Sequence, residues 1–245
     1  EERPMTQGAI QKDQRLIVVV YSPPGPLIVE LDNKGETAAK IIPGLGLVVK
    51  DAQDQRALKL SQDLQQYLPR WQAAPSFYPL FLEKVKAMGQ PGAVVEPQDA
   101  GLPPDAWPKF NRAKDVLDWQ LRYFIRQPDG VVSRNYSGYL QLDDALVLEV
   151  NVAPGLESDG EDNFSPNLKA VTRLLRVSSM RELWRHEDVV EDKAIVKTLY
   201  DYKVSPGDLV YAWQRMLPQL ASMVVDNLAK NLQAAGVPLG PAQAP

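Results

Sequence analysis

One histidine, His186, is the side chain whose ordinary pKa suits acid–base work near neutral pH. It stands between Arg185 and Glu187, at strand spacing from Trp184 and Asp188. A serine nucleophile would have to use it, yet the sequence has no Gly-x-Ser-x-Gly turn to lift a serine above a sheet. His186 therefore reads as a half-exposed strand position in a charged cross-strand cluster. Paired carboxylates are a second route to catalysis. Asp143, Asp144 and Glu149 carry the right groups, but Asp143-Asp144 reads as the turn opening a strand and Glu149 as that strand's one polar position. With no cysteine there is no thiol nucleophile or thiolate ligand, and one histidine leaves zinc only carboxylates besides. No catalytic, metal or cofactor residue is assigned.

Two loops hold residue types that bind ions. Gly44-Leu45-Gly46 lacks the following Gly-Lys-Ser/Thr of a phosphate loop, and Val49 stands where a dinucleotide fingerprint has its third glycine. It reads as a tight turn or bulge. Glu157-Ser158-Asp159-Gly160-Glu161-Asp162-Asn163 concentrates oxygen ligands without the alternating spacing of a calcium-binding EF-hand. It reads as a solvated connection, with calcium as the alternative. Asn135-Tyr136-Ser137 and Asn163-Phe164-Ser165 match the glycosylation triplet, a match frequent by chance. The last candidates are aromatic: Tyr136, Tyr139, Tyr200, Tyr202, Tyr211 and Trp213. Tyr136, Tyr139, Tyr200 and Tyr202 are the expected partner-binding residues, core packing being the other reading.

These residues need elements to place them. Arg15 to Tyr21 is a continuous β-branched run, which predicts a strand covered on both faces. Leu27–Leu31 predicts a second, short strand, and Val94-Val95 another. Ala57, Leu60, Leu64 and Leu68 form a helical stripe ending at Pro69. A second helix is expected from Phe77 to Met88, capped by Ser76 and stopped by Gly89, with Pro79 in its first turn. The proline-rich stretch near 90–108 reads as a long irregular insert, and Lys114–Ile125 fits a helix. Ala145–Val152 is the clearest later strand, followed by a loop from Pro154 to Pro166. Leu168–Val177 and Leu183–Val190 predict an antiparallel hairpin. Ser205-Pro206 opens a final helix with the stripe Leu209, Trp213, Leu217, Leu220, Val224, Leu228 and Leu232. Its stripe should face the Leu16–Tyr21 and Ala145–Val152 strands, with Gln214, Gln219, Asp226 and Lys230 in water, and Pro218 should kink or split it. The fold class is α/β (or α+β), a mixed central sheet with packed helices. Residues 1–14 read as a flexible leader, 15–236 as a single domain and 237–245 as a disordered tail.

Composition bounds the function classes. The 245 residues are 44% hydrophobic and 24% charged, enough to bury a core. The net charge of −4, with no basic block, argues against a nucleic-acid partner. No apolar run reaches membrane-spanning length. The opening Glu1-Glu2-Arg3-Pro4 suggests an upstream segment, so a membrane contact is expected only through an anchor before Glu1.

Asp144-Ala145-Leu146-Val147-Leu148-Glu149-Val150, the hairpin ending Glu182-Leu183-Trp184-Arg185-His186 and the amphipathic last helix resemble small α/β domains of bacterial envelope lipoproteins. The resemblance is to the amino-terminal domain of the Tol-system translocation protein and the lipoprotein activators of penicillin-binding proteins. It covers residues 140 to 235 and the first strand. Glu182 departs from it, standing where those domains have glycine, as does the proline-rich middle. The resemblance implies a non-catalytic protein on the periplasmic side of the envelope, lipid-anchored and binding another envelope protein. The alternative is a hydrolase or small-ligand protein with a carboxylate-based site.

Overall fold

A computed structural model describes residues 2–5, 10, 14–22, 27–31, 52–69, 71–89, 92–101, 124–126, 132–140, 145–159 and 162–237. The fold is mixed α/β. In chain order the elements are β1 (Leu16–Tyr21), β2 (Ile28–Glu30), α1 (Ala52–Gln65), α2 (Ala73–Met88), β3 (Val94–Val95), β4 (Phe124–Arg126) and β5 (Val132–Arg134). After a short 3₁₀ turn at Tyr136–Gly138 come β6 (Leu146–Ser158), β7 (Asn163–Arg176), β8 (Glu182–Glu191), β9 (Lys197–Thr198), α3 (Leu199–Val204) and α4 (Pro206–Ala234).

Seven strands form the central sheet, in the order β3-β1-β6-β7-β8, with β2 beside β6 and β9 beside β7. β1 runs parallel to β3 and β6, while β6, β7 and β8 are antiparallel neighbours. All six residues of β1 are buried, as its unbroken apolar run predicts for a strand covered on both faces. Alternate residues feed two cores. Leu16, Val18 and Val20 pack with Leu146, Leu148 and Val150 beneath α1, α2 and α4. Ile17, Val19 and Tyr21 lie on the opposite face with Val147, Phe124, Tyr136 and Leu140.

Every stripe residue of α4 from Leu209 to Leu232 named above is buried, while Gln214, Gln219, Asp226 and Lys230 are exposed. The helix it forms is not split at Pro218. That proline and Gln214, one turn earlier, both face outward, where the carbonyl freed by the missing N–H can meet water. The surface beneath α4 differs from the expected one: it packs on α2, β7 and β8, and α2 covers β1 and β6. Trp71 stacks on Trp213 at 5.7 Å between the two helices, and the Trp213 indole donates to the Gly155 carbonyl at 3.1 Å.

Several boundaries depart from the sequence reading. The expected loop from Pro154 to Pro166 is mostly strand, since the β6–β7 pairing continues in register out to Ser158 opposite Phe164. Pro154 falls between the stretches of β6 that pair with β1 and β2. At Gly155 an added Cβ would lie 2.3 Å from the Asn167 side chain and 2.9 Å from the Ile28 carbonyl, so only glycine lets three strands meet there. Phe124 and Ile125, placed in a helix by periodicity, belong to β4, whose partner β5 supplies the missing hydrogen bonds. α2 begins at Ala73 rather than Phe77, which puts Pro79 inside it. Ser76 is not its cap; the Ala74 N–H donates instead to the Ser22 hydroxyl at 3.0 Å, a cap brought from β1's end. Ser205 and Pro206 do open α4, but the Ser205 side chain makes no cap bond.

The leader is not free of the fold where it is described. Arg3 and Arg185 exchange two backbone hydrogen bonds of 3.1 Å along the outer edge of β8. Ile10 and Gln14 are buried. An open strand edge offers unpaired donors and acceptors, and Arg3 satisfies part of it. Val237 is likewise buried in the first core, whereas 238–245 lie outside the described residues. So do Gly44–Gly46, Asp143 and Asp144.

Candidate functional site

Four places bring chemistry-bearing side chains together. The most buried lies on the second face of the sheet, where one cross-strand row reads Val19, Glu149, Arg173 and Arg185, closed at the edge by Arg3. Strand alternation aims Glu149 and Arg173 out of the same face, and β5 lays Arg134 over them. Arg134 Nη1 is 3.0 Å and Arg173 Nη1 3.4 Å from Glu149 Oε1. Tyr136 donates its hydroxyl to Oε2 at 2.6 Å, and the Asn151 amide donates to Oε1 at 3.2 Å. Arg173 also donates to Ser133 at 2.9 Å and to Glu182 at 2.5 Å. The Arg134 guanidinium sits 3.8 Å over the Tyr21 ring.

Glu149 is 0% exposed. Burial alone would raise its pKa; the Arg134 and Arg173 guanidiniums, helped by the Tyr136 and Asn151 hydrogen bonds, outweigh that and lower it to about 2. The same burial and the neighbouring carboxylate push the Tyr136 and Tyr21 hydroxyls up. A carboxylate so held is neither a proton donor near neutral pH nor reachable by substrate. Its role is to anchor the ribbon β4–β5 to the sheet. The sequence reading took Glu149 for a lone polar strand position and gave Arg134 and Arg173 no role. The available signal was polar residues at matching alternate positions in two adjacent apolar strands.

His186 lies at the sheet edge on the first face, as expected for a half-exposed strand position. Its ring stacks on Trp184 at 5.9 Å. Nδ1 is 3.0 Å from a Glu2 carboxylate oxygen and Nε2 3.5 Å from Asp188. Burial raises the Asp188 pKa against the opposing pull of His186. No serine, threonine or tyrosine hydroxyl bonds to the imidazole among the described residues. Of the calcium candidate, Glu157 and Ser158 end β6, Asn163 begins β7 and its amide donates to Asp159 at 3.3 Å, while Gly160 and Glu161 lie outside the described residues.

The four tyrosines expected at a partner surface separate. Tyr136 is fully buried and Tyr139 packs on the same second-face core. Tyr202 is buried in the first core, its hydroxyl donating to the Phe164 carbonyl at 3.0 Å. Tyr200 is 72% exposed. It lies in a corner that also exposes Tyr67, Val196, Val204 (65%) and Tyr211 (60%). Tyr200 and Val204, four residues apart on α3, share a helix face. Thr198 and Asp201 form a reciprocal capping box that starts this short helix. Lys203 pairs with Asp63 of α1 and lies over the Tyr67 ring; Lys197 bonds Asp208 of α4 at 2.7 Å. The corner is therefore held rigid by ion pairs while its apolar side chains face outward.

A cavity of about 570 Å³ opens at the end of β1, lined by Val20, Tyr21, Ala74, Tyr78, Glu96 and Gln98 among others. Tyr78 donates its hydroxyl to Glu96, which also takes Lys86 at 3.3 Å. Burial, with Glu96 adding to it, raises the Tyr78 pKa. Among the described residues, no group of three or more His, Cys, Asp or Glu is arranged to hold a metal ion, and no helix is long and apolar enough to cross a membrane.

No protein-family model matches the chain, and no curated protein matches it by sequence. Solved structures give distant likenesses. A Xanthomonas campestris protein of the family DUF330 is 12% identical, with 96% of this chain and 95% of that one covered at a TM-score of 0.35. A Neisseria meningitidis lipoprotein is 12% identical, covering 89% and 99%, with a TM-score of 0.31. A Helicobacter pylori homolog of a neuraminyllactose-binding hemagglutinin is 13% identical, covering 94% and 89%, with a TM-score of 0.29.

Proposed function

We propose that this chain is a non-catalytic binding protein of the bacterial cell envelope, docking on another envelope protein through the corner around Tyr200, Val204 and Tyr211. The observation that carries the docking surface is the exposure of several large apolar side chains on a corner pinned by ion pairs. Exposed apolar patches rimmed by charge mark interaction sites, and tyrosine is enriched at them. The envelope setting rests on the sequence resemblance of β6, the β7–β8 hairpin and α4. The electrostatics at Glu149 support a binding role: this carboxylate, 0% exposed, is neutralised by two arginines rather than poised for proton transfer.

A photo-crosslinking amino acid placed at Tyr200 tests this, with Gln219, exposed on the outer face of α4, as the control position. Expressed in a bacterial host, the Tyr200 position is expected to give a discrete crosslinked product in the envelope fraction. The Gln219 position should give none, and Val204→Ser with Tyr211→Ser should abolish the product. Equal products at both positions, or none at Tyr200, would overturn the reading.

A further inference from the structure

The cavity beside β1 occupies a place that the topology creates. β3 pairs only with Leu16 and Ile17, so β1 runs on to Tyr21 with no described strand on that side. After β1 come β2, beside β6, and then α1 and α2 on the first face before the chain returns as β3. From the end of β3 it passes to the second face, where Ala100, Phe124 and Tyr136 are buried. Neighbouring parallel strands whose connections leave to opposite faces open a crevice at their carboxyl ends, and ligands of open α/β sheets bind there. The lining matches that crevice element by element. Val20, Tyr21 and Ser22 end β1, Glu96 and Gln98 follow β3, and Gln72 to Tyr78 begin α2.

We infer that this crevice is a binding site for a small, uncharged organic molecule with a flat apolar face and a few hydrogen-bonding groups. The volume falls within the roughly 300–1,000 Å³ of small-molecule sites. The Tyr78 ring and the prolines Pro75 and Pro97 supply flat apolar walls, and the carboxamides of Gln72 and Gln98 supply neutral donors and acceptors. Charge decides the class. Glu96 is the sole ionisable carboxylate among the described lining residues, and it is already bonded to Tyr78 and Lys86, so a cationic ligand finds its counter-charge taken. An anion would face Glu96 with little to oppose it. At the start of α2 the Ala74 N–H is used by Ser22, and Pro75 has none. The buried Tyr21 side chain, its hydroxyl 3.2 Å from that of Tyr136 and its ring beneath Arg134, fixes the end of β1 that borders the crevice.

The uncharged probe N-phenyl-1-naphthylamine tests the site on the full chain, read by its fluorescence. Saturable one-to-one binding is expected, at least tenfold weaker for Gln98→Trp, which fills the mouth from an exposed position, and for Ala74→Leu, which fills the floor. Circular dichroism checks folding, and Gln98→Trp decides alone if Ala74→Leu does not fold. Tyr200→Ser should leave the affinity unchanged, which separates this site from the exposed corner. The anionic probe 1-anilinonaphthalene-8-sulfonate should bind at least tenfold more weakly than the neutral one. Absence of saturable binding, or an affinity indifferent to Gln98→Trp, would overturn the site; equal binding of the anionic probe would overturn the ligand class.

Discussion

On the first face of the central sheet Leu16, Val18 and Val20 meet the leucines and aromatics of α2 and α4 in an apolar layer. On the second face the same strands present Glu149, Asn151 and Arg173 to Arg134, Ser133 and Tyr136, all buried. One layer draws its stability from area removed from water, a term with little directionality. The other adds to its own apolar cluster a set of buried ion pairs and hydrogen bonds, whose desolvation is offset only while every partner remains. The difference teaches where the molecule tolerates change. A volume-conserving swap on the first face should be absorbed, whereas on the second a change of one atom type can strand a charge.

The largest effect should therefore follow an almost isosteric substitution. Glu149→Gln removes the buried anion that Arg134 and Arg173 share and should lose about 3–5 kcal/mol, the range for breaking one side of a buried pair. Urea denaturation measures it. A loss below about 1 kcal/mol would mean that Arg134 and Arg173 reach water, and the contrast between the faces would collapse. On the first face, Leu220→Ala removes a fully buried side chain of α4 and should lose about 2–5 kcal/mol. Its neighbour Gln219, exposed, should change stability by no more than about 0.5 kcal/mol when replaced by alanine.

Acid sharpens the comparison because the second face holds a fully buried carboxylate whose pKa is strongly lowered. The Glu149 pKa is depressed in the folded chain from its ordinary 4.5 to about 2. A depressed carboxyl contributes stability that is fully present above the unfolded value and is lost as pH falls toward the folded one. Between about pH 4.5 and 2 this group should remove stability on the order of 3 kcal/mol. Denaturation midpoints measured across that window should fall in the wild type and fall less steeply in Glu149→Gln. Parallel slopes would place the acid sensitivity elsewhere, for example at Asp63 or Asp201, whose exposed carboxyls are also lowered by hydrogen bonds, from Lys203 and Thr198 respectively.

The two faces were not equally legible in the sequence. Apolar periodicity locates β1, the β7–β8 hairpin and the whole stripe of α4, because burial against an apolar layer leaves its period in the residue types. It misplaces what depends on partners far along the chain. Phe124 and Ile125 fit a helical stripe until β5 pairs with them, and Ser76 fits a cap until Ser22 supplies it from β1. The polar network needed the register of β6 against β7. Glu149 and Arg173 meet in a register that the pairing carries past Pro154 and Pro166, a stretch that proline, glycine and acidic residues mark as loop. The cavity left no trace in residue types at all, since it arises from β3 ending early beside β1. Tyr200 could be picked from the sequence but not told apart from Tyr202, two residues on in the same short helix and buried.

The smallest expected effect tests whether the edge of the first face holds a second network of the closed kind. His186 lies between the Glu2 and Asp188 carboxyl groups, and the Asn227 amide donates to Asp188 from α4. Unlike Glu149, the imidazole is partly in water and its Glu2 partner largely so. Exposed pairs contribute little, and hydrogen bonds to charged groups contribute about 1.5–3 kcal/mol only when solvent is excluded. His186→Ala should accordingly lose about 1 kcal/mol. Its local consequence should be clearer than its global one. Without the Glu2 contact the leader is held at this edge mainly by the Arg3–Arg185 backbone pair and the Arg3 contacts with Glu182. Hydrogen exchange at the Arg185 amide should quicken while amides in the middle of β7 stay protected. A loss above about 3 kcal/mol with uniform loss of protection would instead make His186 and Asp188 a core network equal to that of Glu149. The two faces would then differ in composition but not in kind.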